Sequence, residues 1–298
     1  MEQQTLIDYT LHLADNALVL GHRNSEWTGH GPILEQDIAL SNIALDLIGQ
    51  ARNFYQYAAR LSNEGAGAAG LGAAAAGAGA AGLGAAGLAA GAADLGGGRE
   101  MAAGARGGGG VEVTEDTLAY LRDAWDYRNC LLVEQNNGDW AKTILRLFFF
   151  SSYQYYFYQR LQQSRDRDLA AIAEKSYKEV TYHLRWSSEW VIRLGDGTEE
   201  SRRRMKEALD QLWKFTGELF VPADYEKELA EKGIAADLGA VRPQWEEKVE
   251  AVFQQAGLTK PAAAWEQTGG KQGRHTEHLG YLLAEMQFLQ RAYPGCEW

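Results

Sequence analysis

The stretch Pro32–Leu61, PILEQDIALSNIALDLIGQARNFYQYAARL, decides the fold. At 100° per residue, Leu34, Ile38, Leu45 and Ile48 form one apolar row and Leu40, Leu47, Ala51, Phe54 and Ala58 a second beside it. That pattern predicts a long helix with a wide buried face, and Pro32 suits its first position. A third strip, Asn42, Asp46, Gly49, Gln50 and Asn53, lies between the outer edges of those rows. Periodicity alone allows it to face water. Its composition argues for the interior, because solvated faces carry Lys, Glu and Arg, and this strip has short uncharged groups around one acid. Asp46 followed three residues later by Gly49 sits where a carboxylate-bridged di-iron bundle carries Glu-x-x-His. The question is whether the chain is a metal enzyme or the shell of one.

Working outward, Thr5–Leu20 reads as a central helix, with Leu6, Leu13, Ala17 and Leu20 on one side and Ile7, Leu11, Ala14 and Leu18 on the other. Asp8, His12 and Asp15 fall at helical spacing within it and are expected as a capping acid, a satisfied histidine and a paired carboxylate rather than a ligand set. Residues 21–31 form the turn to the Pro32 helix. Further on, Thr114–Val133 is predicted helical, Asn136-Asn137-Gly138 a turn, and Asp139 the cap of a helix over Trp140–Gln163. That helix places Phe148, Phe149, Phe150, Tyr153, Tyr155, Tyr156, Phe157 and Tyr158 in every direction, so its own bundle or another chain must cover it. Tyr155 and Tyr158 are the outward candidates for such a contact. Asp168–Leu194 is the fourth long helix, with Ile172, Glu179, Tyr182, His183, Trp186 and Trp190 on one face, and His183 is the expected partner of Glu179. Shorter helices are predicted at Glu199–Leu219, Pro222–Glu231 and Pro243–Ala256, and a last one at His275–Arg291.

Composition bounds the function. The chain has 298 residues, but 65–110 contains 18 Gly and 19 Ala among 46 residues with four charges. Glycine at that density opposes a long stable helix, which predicts a flexible low-complexity insertion interrupting a single helical domain over 1–298. The uncharged run 65–93 is long enough to span a bilayer, yet only Leu71, Leu83 and Leu88 supply real hydrophobic area, so no membrane association is expected. A net charge of −11 argues against nucleic acid and anionic lipid as partners. Cys130 and Cys296 have no metal or redox spacing, and the acidic start MEQQTLIDYTLHLAD has no basic leader, so a reduced cytoplasmic setting is expected.

A di-iron bundle takes one acid from each of two helices and Glu-x-x-His from each of two others. Here the first helix offers Asp15, the second Asp46 with Gly49 in the histidine position, and the fourth Glu179 with Tyr182 in that position and His183 displaced by one. The third helix has no Asp or Glu between Ala141 and Ser164, and its middle is Ser151-Ser152. These are vestigial positions with too few donors for two irons, so no metal, cofactor or catalytic residue is expected. A separate candidate is Gly269-Gly-Lys-Gln-Gly-Arg274, a basic glycine loop before the last helix. Lys271 and Arg274 there are anion-site candidates, although such a loop more often simply makes a turn. His275, Glu277 and His278 resemble ligands on paper but diverge on a helix.

The segments LADNALVLGHRNSEWTGHGPILEQDIALSNIALDLIGQARNFYQYAA, LLVEQNNGDWAKTI, KSYKEVTYHLRWS, LWKFTGELF and TGGKQGRHTEHLGYLLAEMQFLQRAYPG resemble the family of structural subunits of the bacterial phenylacetyl-CoA epoxidases. The resemblance covers nearly everything except 65–110. It implies an all-α, ferritin-like four-helix bundle with additional C-terminal helices, lacking the di-iron centre and scaffolding a homologous di-iron catalytic subunit in a hetero-oligomer, with homodimerisation left open. The alternatives are a catalytic di-iron carboxylate oxygenase, disfavoured by Ser151-Ser152 and Gly49, and a CoA- or anion-binding module built on the 269–278 loop.

Overall fold

The computed structural model describes residues 2–77, 112–261 and 265–296. In chain order the helices are α1 (Glu2–Ser25), α2 (Leu34–Gly77), α3 (Glu115–Tyr120), α4 (Leu131–Glu134), α5 (Trp140–Leu161), α6 (Arg167–Gly195), α7 (Glu199–Leu212), α8 (Asp224–Glu231), α9 (Leu238–Ala256) and α10 (Glu277–Ala292). There is no strand among the described residues. The long helices α1, α2, α5 and α6 form a ferritin-like bundle in which α1 pairs with α2, α5 pairs with α6, and α2 lies against α6. Helices α7 and α9 cover α5 and α6, α8 leans on α1, and α10 crosses α1, α3 and α4. Asp139, Asp166 and Thr198 cap α5, α6 and α7 by accepting from backbone amides three residues on.

The organising helix starts at Leu34, two residues past Pro32, and buries only one of its two apolar rows. Leu40, Leu47, Phe54 and Ala58 are fully buried, whereas Leu34, Ile38 and Leu45 are 72%, 52% and 69% exposed. The centres of the two rows are roughly 130° apart around the axis, so a neighbour covering one leaves the other outside. Between them, Gln50 is buried and Asp46, Gly49 and Asn53 are partly covered, while Asn42 is exposed. The helix also runs through 65–77, against the expectation that the Gly/Ala tract ends it; extending a formed helix avoids the cost of nucleation. The rest of the predicted flexible insertion, 78–110, lies outside the described residues. Its flanks are tied together, since the Asn63 side chain accepts from Val113 N at 3.0 Å and donates to Val113 O at 2.9 Å.

The predicted helix over 114–133 is instead broken into α3, a 3-10 turn at Ala124–Asp126 and α4. The breaks carry Arg122 and Arg128 onto α1, where each finds a carboxylate. The aromatic helix α5 is covered from within: Phe148, Phe149, Phe150, Tyr153, Phe157 and Tyr158 are all buried, and Trp245 of α9 donates to the Phe149 carbonyl at 2.9 Å. Tyr158 is therefore not an outward residue; Tyr155 and Tyr156 are the partly exposed pair.

Candidate functional site

Helices α2 and α6 run antiparallel and are joined by a ladder of polar contacts. Trp190 Nε1 donates to Gln36 Oε1 at 2.8 Å, His183 Nε2 meets Asp46 Oδ2 at 3.0 Å, and Gln50 Nε2 donates to Glu179 Oε2 at 2.9 Å. Tyr57 donates to Asp166 at 2.5 Å, and Arg60 pairs with Asp168 at 2.8 Å. From α5, the Tyr158 hydroxyl donates to Gln50 Oε1 at 3.2 Å, with Gln154 Nε2 at 3.5 Å from the same oxygen. Burial pushes the Tyr158 phenol well above its ordinary value, so it stays a donor. His183 is thus the partner of Asp46, not of Glu179, because the antiparallel register sets each i, i+4 pair of one helix against that of the other.

Asp15 belongs to a different cluster. Fully buried itself, it accepts from the Arg122 guanidinium, from the Tyr55 hydroxyl at 2.5 Å and from the Arg128 backbone amide at 2.8 Å. Burial opposes the charge on Arg122, but the adjoining Asp15 carboxylate raises its pKa above the ordinary value. One turn earlier, His12 Nδ1 donates to the Arg128 carbonyl at 2.7 Å, and burial pushes that imidazole down to about 4, which keeps it neutral. Asp8 pairs with Arg128 at 3.1 Å rather than capping the helix. Asp8 and Asp15 of α1 thus each face an arginine, and His12 faces the Arg128 carbonyl with its other ring nitrogen 3.7 Å from Glu226.

The donor set does not fit a di-iron centre. Asp46, Glu179 and His183 are the acids and histidine of the α2–α6 groove, and each already has a side-chain partner. From α5, Gln154 reaches the groove through Gln50, and the helix has only the buried hydroxyls of Ser151 and Ser152 at its middle, weak neutral donors in place of a carboxylate. A Cβ added at Gly49 would meet nothing within 4 Å, and Tyr182 is 37% exposed, so neither histidine position points a donor inward. Among the described residues no three His, Cys, Asp or Glu come together as a metal-binding group.

The glycine loop does hold a carboxylate, and it is the protein's own. Glu218 Oε1 accepts from the amides of Gly269 and Gly270, each at 2.7 Å, and its Oε2 accepts from Leu131 N at 2.7 Å. Gly270 is required there, because a Cβ would lie 2.2 Å from the Asn129 carbonyl oxygen. Burial raises the Glu218 pKa, with the three amides pulling against it. Lys271 is buried and pairs with Glu226 at 2.9 Å, so it is not available to a soluble anion. Arg274 stays exposed. His275 leaves the paper ligand set as well: Nδ1 meets Glu134 Oε2 at 2.7 Å and Nε2 meets the Tyr127 carbonyl at 2.9 Å. Thr276 N and Oγ1 donate to the other Glu134 oxygen at 2.6 and 2.8 Å.

Sequence reasoning missed Gln50, Gln154, Arg122 and the three acids Glu134, Glu218 and Glu226 as organising groups. The Asp46/Gln50 and Glu179/His183 spacings are both i, i+4, and that match was the available signal for an antiparallel ladder. The three acids gave little local signal: Glu134 and Glu226 have near contacts in Asn129 and Ala223 N, but the groups that anchor the acids across the fold, Thr276 for Glu134, Gly269 for Glu218 and Lys271 for Glu226, lie 142, 51 and 45 positions away.

The family model described as phenylacetic acid catabolic protein matches residues 1–73 and 85–298. The C subunit of the 1,2-phenylacetyl-CoA epoxidase of Escherichia coli (strain K12) is 43% identical over 293 residues, covering 98% of this chain and 99% of that relative.

Proposed function

We propose that this chain, which belongs to the phenylacetic acid catabolic protein family, is the non-catalytic structural subunit of a phenylacetyl-CoA epoxidase. In this reading it scaffolds a homologous di-iron catalytic subunit, as a cytoplasmic hetero-oligomer serving aerobic phenylacetate breakdown. The observation that supports it most is the satisfaction of the vestigial acids by protein groups: Arg122 on Asp15, His183 on Asp46 and Gln50 on Glu179. Arg122 neutralises a buried carboxylate with a fixed cation, and the other two pairs tie α2 to α6. A bundle held this way needs no metal to fold, and its contribution to the reaction lies in the surface it offers to a partner.

The test is reconstitution. This chain is co-expressed with the homologous catalytic subunit, the complex is isolated on a tag carried by one of them, and conversion of phenylacetyl-CoA is measured with a suitable reductase. Co-purification, and turnover that is lost when this chain is left out, are expected. Turnover by this chain alone after iron loading overturns the reading, as does full activity of the other subunit without it.

A further inference from the structure

On the open side of α2, Glu35, Ile38, Asn42, Leu45, Gly49 and Arg52 follow one another at alternating three- and four-residue spacing, the repeat of a coiled-coil seam. Among the described residues this seam is largely open, Gly49 alone being partly covered by its surroundings. Ile38 and Leu45 are 52% and 69% exposed and the Arg52 side chain 68%. Glu35 and Asn42 are exposed too, and the space above Gly49 is open to 4 Å. Arg52 has one ion-pair partner among the described residues, Glu115 at 3.5 Å, at the edge of the seam, which leaves most of the guanidinium in solvent.

Laid against a reversed copy of itself, the seam is self-complementary in every layer. With the axis of symmetry between Ile43 and Ala44, Glu35 faces Arg52 of the second copy, Ile38 faces Gly49 of the second copy, and Asn42 faces Leu45 of the second copy. Acid meets base at both ends, and each branched aliphatic side chain meets a small or short residue, the alternation that interdigitating layers need. We propose that two copies of this chain associate through α2 in this antiparallel register, about a two-fold axis at Ile43–Ala44. Leu34 and Ile33, 72% and 54% exposed, flank the seam at each end. With Ile38 and Leu45 they give an apolar patch on the order of 500 Å², large for a lone monomer and more than half of the ~800 Å² that one partner brings to a standard interface. Gly49 then has a positive role: it is the hole that receives Ile38 of the second copy.

Sedimentation velocity on the purified full-length chain at micromolar concentration tests this, with a melting curve on each variant to confirm the fold. The parent is expected to be a dimer. Leu45→Asp and Gly49→Leu are expected to be monomers with parent-like melting. Glu35→Arg or Arg52→Glu alone should raise the dissociation constant about tenfold or more, and the double exchange should restore it. A monomeric parent overturns the proposal, as does a dimer indifferent to Leu45→Asp or a charge exchange that fails to rescue. If the parent is monomeric and Leu45→Asp instead abolishes binding of the homologous subunit, the seam belongs to that partner and the self-pairing is wrong.

Discussion

Gln50 donates to Glu179 across the α2–α6 groove at 2.9 Å while its own carbonyl oxygen accepts from Tyr158 at 3.2 Å. A neutral carboxamide bridges the centre of the bundle and occupies the acid that a metal would need. The purified chain is therefore expected to carry iron far below one atom per molecule, measured by elemental analysis after growth in iron-rich medium; two irons per chain would falsify this. Replacing Gln50 with Leu keeps the volume but strips Glu179 and Tyr158 of their partner. It should cost about 1–3 kcal/mol, read from urea unfolding.

Gly270→Ala forces a methyl group to 2.2 Å from the Asn129 carbonyl oxygen and opens the Glu218 cradle. A loss of about 2–4 kcal/mol is expected. Glu218→Ala should be similarly severe, because three buried amides lose their acceptor together. Arg274→Ala, on the exposed end of the same loop, should stay within about 0.5 kcal/mol of the parent. Equal effects of Glu218→Ala and Arg274→Ala on the denaturation midpoint would refute the internal-carboxylate assignment.

Two buried histidines should tilt stability in opposite directions with pH. Both ring nitrogens of His275 face acceptors, so the ring must be an imidazolium to satisfy them. Burial lowers its pKa, but the Glu134 carboxylate and the Tyr127 carbonyl raise it further, and the net value lies above the ordinary 6.5. Its stabilisation is complete below 6.5 and is lost as pH rises through the raised value. His12, lowered from 6.5 to about 4, is neutral when folded, so the unfolded chain binds its proton first and stability falls as pH drops through that interval. In urea midpoints measured from pH 4 to 9, His12→Gln should flatten the acid limb and His275→Gln the alkaline limb. An unchanged slope in either variant would remove that histidine from the account.

Asn63 closes the insertion by holding Val113 through two hydrogen bonds. Shortening 65–110 to a brief turn should leave cooperative thermal unfolding intact, since loop closure changes by only ~0.6 kcal/mol per doubling of length. Asn63→Ala should cost about 1–2 kcal/mol in the full-length chain. Non-cooperative melting of the shortened protein would show that the insertion contributes to the core.

What the sequence by itself determined is the set of long helices. Apolar periodicity located α5 and α6 to within two residues and the starts of α1 and α2 to within three, while α1 and α2 run five and sixteen residues past their expected ends; Asp139 announced the start of α5 because a cap acts through residues three apart. Gly49 and Ser151-Ser152 were informative for the same reason: ligand spacing on a helix is a local property. Tertiary structure alone decided which apolar row of α2 turned inward, because Leu34, Ile38 and Leu45 are as hydrophobic as Leu40 and Leu47 and only the placement of α1 and α6 separates them. It also decided the partners of the buried charges. Arg122 reaches Asp15 across 107 positions and His275 reaches Glu134 across 141, contacts that a broken segment after α3 and a C-terminal loop make possible and that no periodicity encodes. The basic glycine loop shows the division most sharply: it reads as a turn with Lys271 and Arg274 as anion candidates, but the anion it holds is Glu218, bound by the Gly269 and Gly270 amides, which depended on the long-range fold bringing 218 beside them.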